Sequence, residues 1–122
     1  MDSSPRAADW IGRRVPVVVD RPLGTPHPED GRLVYALNYG FVPGTRAPDG
    51  DPIDVYIIDV DRPLAECRAE VIAAIRRRDD AEYKLVARVG RREWSPSEIL
   101  ARTRFQERFF DSYVEGAEGP LD

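Results

Sequence analysis

Apolar and polar positions alternate with a period of two along most of the chain, and fall into a 3.6-residue period only near the C-terminal end. Residues 14–20 (RVPVVVD) predict a first strand, with Pro16 marking an edge position or the strand's start. Residues 21–32 hold Pro22, Gly24, Pro26, Pro28 and Gly31, which break any regular element and predict a turn-rich connection. Residues 33–35 predict a short strand, and Asn38 and Gly40 a tight bend. Residues 55–60 predict the central strand. Residues 67–78 predict a longer one, in which Ala69, Val71, Ala73 and Ile75 alternate with Glu70, Ile72, Ala74 and Arg76; small residues on both faces suit a tight barrel interior. Arg76-Arg77-Arg78 then reads as a solvated surface or an anion patch.

Ser95-Pro96-Ser97-Glu98 supplies an N-cap, a proline at the first helical position and a capping-box glutamate. The spacing predicts a helix to about Val114, stopped by Gly116, with Ile99, Leu100, Thr103, Phe105, Phe109, Phe110, Tyr113 and Val114 on one broad arc. Arg102, Gln106 and Tyr113 form a polar stripe inside that arc, and a buried polar stripe needs a polar partner such as an active site. Short strands, turn-rich links and one helix predict an α+β fold: a small closed antiparallel β-barrel with one long C-terminal helix. The whole chain, 1–122, is expected to be one domain, loosely ordered over 1–13 and 116–122, with Trp10-Ile11 docked on the body or a neighbouring subunit.

Composition narrows the function classes. Apolar content of 42% and charged content of 33% are ordinary for a globular protein. No apolar run approaches the ~20 residues needed to span a membrane, and the N-terminus lacks the apolar region of a signal peptide. The lone Cys67 cannot form an internal disulfide, which predicts a reducing, cytoplasmic setting. A net charge of −4 argues against a nucleic-acid partner.

The candidate chemistry centres on Asp49-Gly50-Asp51-Pro52-Ile53-Asp54. Gly50 and Pro52 shape a turn that holds the carboxylates at the entrance of the central strand. Like charges this close repel one another and are relieved by a hard divalent cation, for which carboxylate oxygens suit Mg²⁺ or Mn²⁺. The plainer alternative is a solvated surface turn, since Asp, Gly and Pro are the commonest turn residues. Arg46, just ahead of the cluster, can bind a phosphate bidentately or simply offset the acids.

Tyr35-Ala36-Leu37-Asn38-Tyr39-Gly40-Phe41-Val42-Pro43-Gly44-Thr45 leads into this turn. The combined segment, residues 35–59, resembles the signature of the family I soluble inorganic pyrophosphatases, with Ala36 where the family usually has Pro; weaker similarity runs over residues 15–113. The resemblance implies an OB-like barrel and Mg²⁺-dependent hydrolysis of pyrophosphate, with Mn²⁺ as an alternative ion. It implies Asp49, Asp54 and Glu82 as core metal ligands, and Asp51 as the base acting on the attacking water. Asp20 and either Asp79 or Asp80 would hold further metal. Tyr39, Lys84 and Tyr113 would bind phosphate oxygens, and Tyr35 would line the site. It also implies a homo-oligomer whose partner is a small-molecule substrate, with no nucleic acid and no membrane.

Several departures qualify this. Glu82 stands where the family has Asp. The 21–32 connection is shorter than the family's and lacks its phosphate-gripping Lys and Arg, leaving Arg21, His27 and Arg32 as available cations. The family's Tyr-Lys pair near the helix end becomes Tyr113-Val114, with Arg102 as a substitute cation. Two other functions remain open: a metal-dependent phosphohydrolase acting on an organic diphosphate, and a catalytically reduced scaffold that keeps the fold.

Overall fold

In the computed structural model, which describes residues 6–79, 81–116 and 119–120, the alternating valines are what turn the chain inward. Along β1 (Arg14–Arg21), Val15, Val17 and Val19 are buried while Arg14, Pro16 and Val18 face out. β2 (Asn38–Val42), β3 (Ile53–Ile57), β4 (Glu66–Arg77) and β5 (Tyr83–Arg88) complete a ring. β1 pairs with β2, β2 with β3, β5 with β4 and β4 back with β1, all antiparallel. β3 and β5 run parallel, so the closed five-strand barrel is mixed rather than wholly antiparallel. The long strand β4 makes closure possible. Its first residues pair with β1 through Glu70 and its later ones with β5, with a register shift between Val71 and Ala73 that bends it around the ring.

Aliphatic side chains from all five strands fill the lumen, among them Val17, Val42, Val55, Ile57, Val71 and Leu85. A second cluster lies between the barrel wall and the helix: Tyr39 and Tyr56 from the strands meet Ile99 and Val114 there. The period-two alternation of β3 feeds both, Val55 and Ile57 inward and Tyr56 outward.

Asn38 and Gly40 are not in a bend; both lie inside β2. Gly40 is required by close approach, because a Cβ there would sit 1.9 Å from the Val18 carbonyl oxygen. The buried Asn38 side chain accepts from the Leu23 and Leu64 amides, each at 3.0 Å, and donates to the Arg62 carbonyl at 2.8 Å, pinning two connections to the barrel. The strand expected at 33–35 reduces to a bridge between Pro26 and Val34.

The helix α1 (Pro96–Glu107) starts as its sequence requires: Ser95 Oγ accepts from the Glu98 amide and the Glu98 carboxylate from the Ser95 amide. It stops seven residues short of Val114 (114 − 107 = 7). Residues Ser112–Gly116 form β6, which pairs antiparallel with Ala74–Arg77 of β4, and β7 (Gly119–Pro120) pairs with β6. Backbone pairing along the free edge of β4 outweighs continuation of the helix there. At the other end the chain is tied down from Arg6 onward. Ala7 is buried in a 3₁₀ turn (Ala7–Trp10), and the Trp10 indole N–H donates to the Tyr83 hydroxyl at 3.2 Å. Asp59 accepts from the Val89 and Gly90 amides and Asp61 pairs with Arg102. Among the described residues no helix is long and apolar enough to cross a membrane.

Candidate active site

The site forms where β2 and β3 lie side by side. Phe41 stands opposite Asp54 and Tyr39 opposite Tyr56, which brings the Tyr39 hydroxyl diagonally onto the Asp54 carboxylate, donating at 2.6 Å. The turn ahead of β3 is held by its own backbone. Gly50 sits at φ 92°, a left-handed conformation suited to glycine, and the Asp51 amide donates to Asp49 Oδ1 at 2.9 Å. The Ala47 amide donates back to the Asp51 carbonyl at 2.6 Å. Asp49 and Asp54 thereby share a cleft of about 280 Å³ with Glu82, Lys84, Arg77 and Glu107. An adjoining cleft of about 470 Å³ also contains Asp54, Lys84 and Arg77, and adds Asp20, Arg21, His27, Tyr35 and Tyr39.

Burial governs the electrostatics. Asp54 is half-buried, and its carboxyl is pushed above the usual range by burial, with Asp20 and Asp49 adding to the rise while Tyr39 and Lys84 oppose it. Burial also pushes the Tyr39 phenol well up, reinforced by the charge of Asp54, so Tyr39 stays a proton donor. Lys84 reaches in from β5; its side chain is 13% exposed, and its ammonium lies 2.7 Å from Glu107 Oε2. Burial lowers the Lys84 pKa, partly offset by Glu107. Burial acts to raise Glu107, but the charge and hydrogen bond of Lys84, with hydrogen bonds from Tyr56 and Ser112, bring it below the ordinary value. Tyr56 donates to Glu107 at 2.6 Å and itself accepts from the Gln106 amide at 3.0 Å. The same ammonium sits 5.7 Å from the centres of the Tyr39 and Tyr56 rings, within cation–π range.

Of the residues singled out in the sequence, the clefts bring together Asp20, Asp49, Asp54, Glu82, Tyr35, Tyr39 and Lys84. Asp51, Arg46 and Asp79 are exposed and line neither cleft, and Asp80 lies outside the described residues. Tyr113 must be corrected: it stands on β6, not on the helix, under the Arg78 guanidinium at 4.7 Å, and lines neither cleft. Arg102 also points elsewhere, donating to the Ile58 carbonyl and packing beside Trp94. The helix does present a buried polar stripe, but its members are Thr103, Gln106 and Glu107. Their i, i+3, i+4 spacing is legible in the sequence once the helix is known to end at Glu107. Arg77 was hidden within its arginine triplet.

A family model described as inorganic pyrophosphatase matches residues 18–113. The chain belongs to the inorganic pyrophosphatase family. The inorganic pyrophosphatase of Pseudomonas aeruginosa is 38% identical over 74 residues, covering 57% of this chain and 38% of that protein. That of Aquifex pyrophilus is 37% identical over 76 residues, covering 58% and 39%. The chain therefore spans about two fifths of the length of these relatives. A solved inorganic pyrophosphatase from Neisseria gonorrhoeae superposes with a TM-score of 0.67 at 22% identity, covering 94% of this chain and 88% of the other. One from Ehrlichia chaffeensis gives 0.64 at 20%, covering 99% and 92%. These likenesses establish the pyrophosphatase barrel. Against that pattern, the end of the helix stands out. The resemblance implies a phosphate-gripping Tyr and Lys there, whereas Gln106, Phe109 and Phe110 line the larger cleft.

The donor set suits a hard divalent cation: carboxylate oxygens from Asp49, Asp20, Glu82 and Asp54, the last a half-buried carboxyl whose charge the protein leaves under-compensated. Among the described residues no three such side chains converge closely enough to hold an ion by themselves.

Proposed function

We propose that this chain hydrolyses inorganic pyrophosphate to two phosphates with a divalent cation, Mg²⁺ or, as an alternative, Mn²⁺. The observation that carries the reading is the convergence of Asp54, Tyr39 and Lys84 in one cleft of a pyrophosphatase-family barrel. Asp49, Asp54 and Glu82 would hold the core metal, with Asp20 and a hairpin acid, Asp79 or Asp80, receiving metal that enters with substrate. A bound cation would neutralise the substrate's charge and lower the pKa of water.

The chain's own residues do the rest. Lys84 and the Tyr39 hydroxyl donate to phosphate oxygens, offsetting charge as it moves onto the leaving phosphate. Tyr35 walls the cleft beside His27, their rings stacked at 6.2 Å. Arg77 and Arg21 supply cations where the shortened 21–32 connection lacks the family's grips. Arg46, on the loop before the acids, would be a further phosphate ligand. Asp51, exposed on the turn that carries Asp49, would take the proton of the attacking water. As to setting, the free, half-buried Cys67 supports a cytoplasmic protein, and the family supports a homo-oligomer without a membrane partner.

The test is phosphate release from pyrophosphate by wild type, Asp51→Asn and Asp54→Asn in Mg²⁺. Release by wild type that falls about a hundredfold or more in each variant is the expected result. Mg²⁺ binding without release would leave a scaffold that keeps the fold.

A further inference from the structure

The helix end of the larger cleft is built for something other than phosphate. Phe109 and Phe110 are 61% and 42% exposed, the first being the most exposed of the large apolar side chains among the described residues. They stand just past the last residue of α1, on the wall that also carries Gln106. An aromatic ring cannot neutralise phosphate, but it can stack on a planar apolar group. The surroundings are cationic: the Arg77 guanidinium lies 3.5 Å from the centre of the Phe110 ring, and that of Arg108 lies 5.0 Å from Phe109. A third cleft borders the larger one. Leu33 and Phe109 line both the larger cleft and this third one of about 300 Å³, whose remaining walls are Asp30, Arg32 and Arg108. The larger cleft thus holds Asp20, Asp54 and Lys84 together with the apolar side chains of Leu33 and Phe109, the two residues it shares with the third cleft.

We infer that the larger cleft takes an organic diphosphate, its terminal phosphate at Lys84 and Tyr39 and a planar aromatic group on the inner phosphate resting between Leu33 and Phe109. This rests on the proposed hydrolytic site and extends its substrate. Water oxygen bonds to the terminal phosphorus, and the bond from that phosphorus to the bridging oxygen breaks. The bridging oxygen leaves with the electron pair as the organic monophosphate. One water proton passes to Asp51, and the terminal group departs as inorganic phosphate.

Pyrophosphate, methyl diphosphate and phenyl diphosphate, compared with Mg²⁺ for wild type and Phe109→Ala, test the inference, with light scattering run on both proteins. Wild type is expected to show kcat/KM about tenfold higher for phenyl than for methyl diphosphate. Phe109→Ala should abolish that preference while changing pyrophosphate hydrolysis less than about twofold. Pyrophosphate hydrolysis with no preference for phenyl over methyl diphosphate would overturn the inference and leave the proposed function standing. So would an equal loss on all three substrates, or a change of assembly state showing that Phe109 packs on a second copy. Phenyl diphosphate turnover without pyrophosphate turnover would support the inference and remove pyrophosphate as the substrate; turnover of none of the three would overturn both.

Discussion

Glu107 and Asp54 show how single carboxylates in this cleft are held in opposite ways. Glu107, 4% exposed, receives Lys84, Tyr56 and Ser112. Glu107→Gln leaves the Lys84 ammonium buried without its counter-charge, and an expected loss of about 3 kcal/mol in urea unfolding follows. The pH dependence has a definite sign. The folded pKa of Glu107 lies below its ordinary 4.5, so its contribution is complete above that value and is lost as pH falls through the window beneath it. The difference between wild type and Glu107→Gln should therefore be full at pH 7 and shrink below about pH 4.5. Asp54 is the reverse case, a carboxylate whose burial penalty is incompletely offset. Metal-free Asp54→Asn is expected to melt a few degrees above wild type at pH 7, by removing a buried charge. A Tm equal to or below that of wild type would contradict the electrostatic account. At this scale the sequence was partly readable. Asp49 and Asp54 stand out in an acidic turn, and Tyr39 and Lys84 through the resemblance to the family. Glu107 gave no such signal, because only packing of the helix on the barrel decides which polar side chain of a mixed face is buried; Arg77 gave none, because it ends β4 between two residues of its own type, Arg76 and Arg78.

Elements divide along the same line between local and distant causes. The start of α1 was legible because Ser95 and Glu98 satisfy each other within one turn. Its end was not, because β6 is drawn off by pairing with β4, about 40 residues earlier in the chain. The parallel pairing of β3 with β5 leaves no local trace either. Gly40 was misread for a related reason. Glycine signals a bend when seen alone, but here it lets the β1 backbone approach β2. Gly40→Ala would drive a methyl into the Val18 carbonyl, so the strands must separate or the barrel open. An expected cost above about 3 kcal/mol, or failure to fold, can be read from circular dichroism melts. A variant within about 1 kcal/mol of wild type would mean that this strand pair tolerates separation.

For the molecule as a whole, barrel and site are one object: the strands that close the ring also deliver Tyr39, Asp54 and Lys84 to one cleft. Alternation and turn chemistry were enough to read a small closed barrel, since period-two burial runs along β1 and through residues 69–73 of β4. If the acids hold a cation, ligand binding must stabilise the fold by mass action. Mg²⁺ at about 100 times its Kd should add roughly 2.7 kcal/mol to wild type, and little to Asp54→Asn. A thermal shift series in Mg²⁺ measures this. The central claim meets its most direct test in phosphate release from pyrophosphate by the purified wild-type chain, followed by ³¹P NMR across a Mg²⁺ titration and then after excess EDTA. The account requires conversion to phosphate that rises with Mg²⁺ and stops on chelation. A folded, Mg²⁺-binding chain that leaves pyrophosphate intact would contradict it.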